Sequence, residues 1–165
     1  MRGKWGLVFA PALVVVGLDR LTKALVLDQM TLHESIPVID GFFALTYVRN
    51  TGAAFGIFAG LSAAFRVPAL LAIATLALGV LLWFVRTVPL ERRAVIAACG
   101  GVLGGAIGNM IDRTAYGEVI DFLDVYLGAY HWPAFNVADA AITVGVIVLC
   151  LDALWSPPAP ARSLV

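Results

Sequence analysis

Carboxylates and amides dominate the polar groups that lie near the apolar stretches of this sequence. Asp19 lies inside the first such stretch, Asp112 follows the third, and Asp139 comes near the start of the fourth. His33 and His131 stand apart from any serine or cysteine, and both cysteines lie in mid-stretch. Two carboxylates held together in a poorly hydrated site cannot both ionise easily, so they share one proton. The ionised partner can activate water while the protonated one polarises a carbonyl, which is the chemistry of aspartic peptide hydrolysis without a cofactor.

Other catalytic chemistries are less well supported by the residues present. No cysteine or histidine spacing is typical of a zinc site, although a hard cation held by carboxylates stays an alternative. None of the four serines lies on a strained nucleophile turn. A Ser–Lys pair using Lys23 also stays open, but Asp19 lies four residues earlier and favours an ion pair. We therefore expect neither a metal nor a cofactor.

Composition places these groups in a membrane protein. Of 165 residues, 61% are hydrophobic and 13% charged, and the mean hydropathy is +0.94, too high for a water-soluble domain. Eleven basic residues balance eleven acidic ones, so the basic excess of a nucleic-acid-binding protein is missing. Two cysteines are too few for a disulfide scaffold, and the apolar majority excludes a disordered chain.

Four apolar stretches are each long enough to cross a bilayer, at about 20 residues per span. They cover residues 5–27, 67–85, 94–111 and 137–155. The sequence therefore predicts an all-α membrane protein with a small β element, folded as a single domain over residues 1–155. The proline-rich tail, residues 156–165, is predicted to be disordered and cytoplasmic.

Basic residues predict the orientation of the spans. Six of them precede the first span, lie between the second and third, or lie in the tail: Arg2, Lys4, Arg86, Arg92, Arg93 and Arg162. The two longer connecting segments carry three: Arg49, Arg66 and Arg113. The positive-inside rule then places both termini in the cytoplasm and the longer segments outside. A cleaved signal peptide at the N-terminus is the less favoured alternative, because no cleavage site follows the apolar stretch.

The two outer segments and the third span carry further local signals. Residues 36–50 have a strand-forming composition with turn signals at Pro37 and Asp40-Gly41, and residues 55–65 have helical spacing suited to the membrane surface. Gly100, Gly104 and Gly108 recur every four residues, which predicts a face for close helix packing.

With this orientation the polar residues of three spans lie at the same outer depth, where each ionisable group is costly to bury. They are Asp19, Arg20, Lys23, Asn109, Asp112, Arg113, Asn136 and Asp139, with Asp121 and Asp124 in the segment just before the fourth span.

Simpler roles compete for several of these residues. Asp19 and Lys23 can form an ion pair, and Asp112 and Arg113 a boundary pair. Asn136 and Asp139 have the spacing of a helix N-cap with an acid at its third position, which by itself would explain both. Asp124 is interpreted as a surface or strand-end residue rather than a chemical one.

Five segments together resemble the lipoprotein signal peptidase family, also called signal peptidase II. They are Asp19-Arg20-Leu21-Thr22-Lys23, Asn50-Thr51-Gly52-Ala53-Ala54-Phe55-Gly56, Gly104 to Arg113, Val119-Ile120-Asp121-Phe122, and Phe135-Asn136-Val137-Ala138-Asp139. The ordered set covers nearly the whole chain and is specific, whereas any one segment would be weak. Arg20, where the family often has glutamine, and Thr51 are mild departures from its pattern.

The resemblance implies an aspartic endopeptidase of the bacterial inner membrane with its active site at the periplasmic face. Its substrate would be a prolipoprotein carrying a diacylglyceryl cysteine, cut immediately before that cysteine, and the enzyme would be a monomer among membrane lipids. Asp121 and Asp139 correspond to the catalytic dyad. Substrate-binding or supporting positions are Asn50, Gly105, Asn109, Arg113, Asn136 and Ala138, with Asp19 and Lys23 in support from the first span. The implied fold has four transmembrane helices, an outer β-cradle and a short surface helix.

Two other classes of function stay as alternatives. A proton- or cation-coupled transporter would use intramembrane carboxylates as relays, but the sequence has no repeat, no broken span and no acid deep in an inner half-span. A non-catalytic membrane subunit would explain the glycine face and leave the outer carboxylates without a role.

Overall fold

The computed structural model describes residues 2–52, 58 and 60–155. Four helices dominate it: α1 (Arg2–Gln29), α2 (Ala63–Thr87), α3 (Arg93–Tyr116) and α4 (Val137–Trp155). Four strands complete it: β1 (Ser35–Ile39), β2 (Phe43–Asn50), β3 (Val119–Leu127) and β4 (Tyr130–His131). The predicted mainly helical class with a small β element is confirmed.

Three of the described helices, α2, α3 and α4, have both the length and the apolarity for a membrane span. Helix α1 is longer, at 28 residues, but it carries Asp19, Arg20 and Lys23 in its second half. The count by length and composition is therefore three, where the sequence predicted four. The charged groups of α1 are paired inside the protein.

Helix α3 lies between α1 and α4 and its glycines allow both approaches. On the α1 side, a Cβ atom on Gly100 would lie 2.3 Å from the backbone oxygen of Val8, and one on Gly104 would lie 2.5 Å from that of Ala12. A Cβ atom on Gly105 would lie 2.3 Å from the Ala138 oxygen of α4. The predicted small-residue face is confirmed, and Gly105 extends it to a second helix.

The strands form one antiparallel succession in the order β1-β2-β3-β4. The predicted strand segment 36–50 is a hairpin in the structure, because the chain turns at Asp40-Gly41, where Gly41 has φ 76°. Strands β3 and β4 were not predicted from the sequence. Val26 at the end of α1 packs with Tyr47, Ile120 and Phe122, which anchors the sheet on the helices.

Two sequence predictions fall wholly or partly outside the described residues. The disordered tail, 156–165, lies outside them, and so do residues 53–57 and 59 of the predicted surface helix. At the other end of that segment, residues 63–65 form the first turn of α2 rather than a separate helix.

We expect Gly105→Ala to destabilise the protein, because the added methyl group would overlap the Ala138 carbonyl and force α3 and α4 apart. Overpacking of this kind costs about 1–3 kcal/mol, so the thermal midpoint in detergent should fall. Gly79→Ala in α2 is the matched control, since nothing lies within 4 Å of its Cβ position. A Gly105→Ala midpoint equal to that of the control would contradict this packing argument.

Candidate active site

Helix α4 begins with a reciprocal cap formed by Asn136 and Asp139. The Asp139 backbone N–H donates to Asn136 Oδ1 at 2.9 Å, and the Asn136 N–H faces Asp139 Oδ2 at 3.3 Å. This capping interaction confirms the spacing argument from the sequence. Phe135 exchanges backbone hydrogen bonds with Leu123 of β3, which fixes the start of α4 against the sheet.

Strand β3 brings Asp121 to the same place. The side-chain amide of Asn136 donates to Asp121 Oδ1 at 2.7 Å, and that of Asn50, at the end of β2, donates to Asp121 Oδ2 at 3.0 Å. Strands β2 and β3 pair so that Asn50 lies opposite Val119, two residues before Asp121. Asn136 therefore does more than cap α4, because it also joins the start of α4 to the Asp121 carboxylate on β3.

Asn109 of α3 completes the link between the two carboxyl groups. Its amide nitrogen donates to Asp139 Oδ1 at 2.7 Å, while its oxygen accepts a bond from Asn136 Nδ2 at 3.2 Å. Asp121 and Asp139 thus share Asn136 as a common partner. The arrangement brings together both residues of the predicted dyad and three of the predicted supporting residues.

Burial governs the protonation of Asp121, whose side chain lies outside the helices. The residue is 1% exposed. Desolvation, followed by the nearby charge of Asp139, raises the pKa of Asp121 to about 7, although the hydrogen bonds from Asn50 and Asn136 act in the opposite direction. Near neutral pH Asp121 therefore keeps its proton to a larger extent than an isolated aspartate would.

A buried ionic network lies next to the carboxyl pair. Lys23 of α1 contacts Asp19 Oδ2 at 2.9 Å and Asp112 Oδ2 at 2.7 Å, and all three side chains are fully buried. Asp112 also binds Arg20, and it accepts the Ile120 N–H of β3 at 3.3 Å. The Asp19–Lys23 ion pair predicted from the sequence is confirmed, and it forms part of a larger network.

The predicted supporting residues Ala138 and Gly105 belong to the packing beneath this site. Asp19 Oδ1 accepts the Ala138 backbone N–H at 3.1 Å, so a carboxylate of α1 satisfies a free amide in the first turn of α4. Gly105 lies against the Ala138 carbonyl. Both residues thus position the first turn of α4, which carries Asp139.

Arg113 does not pair with its neighbour Asp112, so the proposed boundary pair is wrong. Successive helical residues point about 100° apart, and Asp112 faces Lys23 and Arg20 instead. Arg113 reaches the opposite side, where Nη2 donates to the Gly52 carbonyl at 3.0 Å and Nη1 approaches the Asn109 carbonyl at 3.4 Å. It therefore connects α3 to the segment that follows β2.

A cavity of about 600 Å³ opens beside the carboxyl pair. Asp139, Asn50, Asn109 and Arg113 supply its polar wall. The remaining wall is mainly apolar and comes from residues 132–135 and one face of α4: Trp132, Pro133, Ala134, Phe135, Ala140, Ile142, Thr143 and Val144, together with Val119. A largely apolar cleft with a few convergent polar groups is typical of a ligand site.

Sequence reasoning missed two features near this cavity. Asp124 is buried rather than a surface residue, and its carboxylate lies 2.9 Å from His131 Nδ1. Trp132, which follows β4, lines the cavity. The β-branched and aromatic composition of residues 119–127, followed by Gly128, is the signal that would have predicted β3 and this hairpin.

Comparisons with known proteins agree on one family. A family model described as signal peptidase (SPase) II matches residues 11–155. A "Lipoprotein signal peptidase" of Syntrophotalea carbinolica is 51% identical over 144 residues, which cover 87% of this chain and 88% of that protein. One of the same description from Desulforapulum autotrophicum is 47% identical over 143 residues, with the same two shares.

Solved structures agree with the sequence comparisons. A structure described as a bacterial membrane enzyme, obtained by the in meso method, has a TM-score of 0.81 and 34% identity, covering 90% of this chain and 88% of that one. A second one of that description has a TM-score of 0.79 and 33% identity, covering 92% and 95%. Since the family model spans α1 through α4 and the relatives align over most of both chains, this chain belongs to the signal peptidase II family.

Proposed function

We propose that this protein is an aspartic endopeptidase that removes the signal peptide from diacylglyceryl-modified prolipoproteins, cutting immediately before the lipidated cysteine. The observation that carries the proposal is the bridging of Asp121 and Asp139 by Asn136, beside the 600 Å³ cavity. The signal peptidase II family supplies the substrate class. The two carboxyl groups, buried and held by amides, supply the chemistry.

Charge balance supports a pair that holds one proton. The Lys23–Asp19–Arg20–Asp112 network contains two cations and two anions and is neutral as a whole. With one shared proton the pair of carboxyl groups carries a single negative charge, and Arg113, on the cavity wall, supplies one positive charge. A second negative charge on the pair would be unbalanced in a largely desolvated site.

The proposed reaction needs only this pair and a water molecule. The ionised carboxylate takes a proton from water while the water oxygen bonds to the scissile carbonyl carbon. The protonated carboxyl group donates its proton to the carbonyl oxygen, giving a neutral tetrahedral intermediate. When the C–N bond breaks, the proton held by the base passes to the leaving nitrogen and a hydroxyl proton returns to the pair. Asp139 lines the cavity and is placed to contact water, whereas Asp121 lies behind Asn50 and Asn136.

The buried charges of α1 bear on how the protein lies in the membrane. We propose that α1 is a fourth transmembrane helix, because its buried charges are neutralised by α3 and need not face lipid. Both termini then lie in the cytoplasm of a bacterial inner-membrane protein, and the sheet and the carboxyl pair lie at the periplasmic face. The sheet is the candidate for the outer β-cradle. The substrate's own apolar helix would enter from the bilayer as a partner of a monomeric, single-domain enzyme, with lipid along the apolar cavity wall.

The deciding experiment is cleavage of a diacylglyceryl-modified prolipoprotein by the purified protein in detergent, without added metal and with chelator present. Release of the signal peptide at the cysteine is the expected result. An unlipidated substrate of the same sequence is the control. Failure to cleave the lipidated substrate, or a requirement for a divalent cation, would overturn the proposed mechanism.

Replacement of either carboxyl group should abolish catalysis and leave the fold intact. We expect Asp121→Asn and Asp139→Asn each to lower kcat by at least about 10²–10⁴-fold, the usual contribution of a general acid or base. Asp124→Asn is the matched control, because Asp124 is a buried carboxylate on the same strand that contacts His131 instead of the pair. Turnover by either dyad variant within tenfold of the control would remove the dyad assignment.

The pH dependence of cleavage follows from the raised pKa of Asp121. The active state holds one proton on the pair, and the pKa of Asp121 is about 7 in the folded protein instead of 3.8. Activity should therefore be lost as the pH rises through about 7, when that proton leaves. Initial rates from pH 5 to 9 on the lipidated substrate give the profile. An activity that keeps rising through pH 8 would be incompatible with a shared proton.

A further inference from the structure

Lys23 makes one contact that its ion pairs do not require. Its ammonium group is fully buried and lies 3.2 Å from Asn109 Oδ1, in addition to the contacts with Asp19 and Asp112. An ammonium group has three N–H donors and no acceptor. The ammonium group thus has three neighbours, two carboxylates at ion-pair distance and one neutral amide that accepts a hydrogen bond.

That contact fixes which way the Asn109 amide faces. If Asn109 were turned by 180°, its NH₂ group would point at the ammonium of Lys23 and its oxygen at the carboxylate of Asp139, and both contacts would be repulsive. Asn136 Nδ2 donates to the same oxygen of Asn109 at 3.2 Å. The Asn109 NH₂ group is therefore directed to Asp139 Oδ1, at 2.7 Å.

The other two amides are oriented in the same way by partners of their own. The oxygen of Asn50 accepts the Gly52 N–H at 3.0 Å, and that of Asn136 accepts the Asp139 N–H at 2.9 Å. In both cases the side-chain oxygen accepts a backbone N–H. The side-chain NH₂ group is therefore left to face Asp121. Asn109 differs, because a charged side chain from another helix orients it.

We infer that Lys23 is a positioning residue for the peptidase reaction, acting through Asn109 to hold the Asp139 carboxylate in place. The inference rests on the proposed function and adds a role to a residue that the ion pairs alone would make purely structural. Asn109 passes the effect on by two bonds, one accepted from Lys23 and one donated to Asp139.

The charge of Lys23 acts on the same pair directly. It lowers the pKa of Asp121, opposing the effect of burial. Removing it should therefore move the loss of activity to higher pH. The charged groups that contact Lys23 or act on the same carboxylates are Asp19 and Arg20 on its own helix, Asp112 and Arg113 on α3, Asp121 on β3 and Asp139 on α4.

The test compares Lys23→Met/Asp112→Asn with Asp112→Asn alone, because the double variant removes one cation and one anion and keeps the buried network neutral. Both are assayed on lipidated prolipoprotein across pH, and folding is followed by thermal unfolding in detergent. Relative to Asp112→Asn, we expect kcat to fall about 10–100-fold, the effect of one charge-assisted hydrogen bond. The pH at which activity is lost should rise by about one unit, the effect of losing a nearby opposite charge.

A purely structural Lys23 gives a different result. The folded double variant would then have the kcat and the pH profile of Asp112→Asn, with a change only in its thermal midpoint, and this would overturn the inference. If the double variant does not fold, Lys23→Arg decides. Its planar guanidinium keeps the charge but cannot reproduce the arrangement of donors that an ammonium group offers to three surrounding oxygens. We therefore expect kcat to fall while the pH at which activity is lost does not change. An unchanged kcat would refute the positioning role.

The same assays separate this inference from the proposed function. If the unmodified protein does not cleave lipidated prolipoprotein, the proposed function fails and Lys23 has no peptidase reaction to support. If the unmodified protein cleaves and Asp139→Asn does not, but the Lys23 variants match their controls, the peptidase assignment stands and only the role of Lys23 is lost.

Discussion

The burial of one ammonium group determines how the helices and the sheet are assembled around the carboxyl pair. Lys23 is fully enclosed, and such a charge is tolerated only when it is paired and hydrogen-bonded. Its partners come from α1 and α3, and those partners in turn accept backbone N–H groups from α4 and β3. One buried charge thus joins three helices and the sheet.

The carboxyl pair depends on this frame. Asp121 comes from the sheet and Asp139 from the first turn of α4, so their approach requires both elements to be anchored to α3. The glycines of α3 permit the close approach, and the Asp19 carboxylate binds the Ala138 N–H one residue before Asp139. Uncharged amides then fill the space around the carboxyl groups, which costs less than further buried charges. The carboxyl groups thus stay buried, and this burial is the main cause of the raised pKa of Asp121.

Local sequence patterns predicted the contacts that lie within one helix turn. The Asp19–Lys23 ion pair and the Asn136–Asp139 cap depend only on spacing along a helix, and both are confirmed. The glycine face depends on periodicity and is confirmed as well. The identity of the dyad came from the resemblance to a family, because nothing in the spacing distinguishes Asp121 from Asp124.

Contacts between elements could not be predicted in this way. Spacing allowed a pair between Asp112 and its neighbour Arg113, yet the partners of Asp112 lie 89 and 92 positions away in the chain, at Lys23 and Arg20. Strand β3 was not predicted because Asp121 and Asp124 interrupt the alternation of apolar and polar residues along it. Both acids are buried in the folded protein, where groups on β2 and β4 and the cap of α4 form hydrogen bonds with them. The partners of Arg20 and Lys23 on α3 likewise become apparent only in the folded protein.

The most direct test of the shared-proton account is a structure of the protein with a prolipoprotein-derived peptide in which the scissile amide is replaced by a secondary hydroxyl. We expect the hydroxyl oxygen to lie within about 3 Å of one oxygen of Asp121 and one of Asp139, the hydrogen-bond range for such groups. A hydroxyl bound away from both carboxyl groups, with the signal-peptide segment elsewhere on the protein, would contradict it.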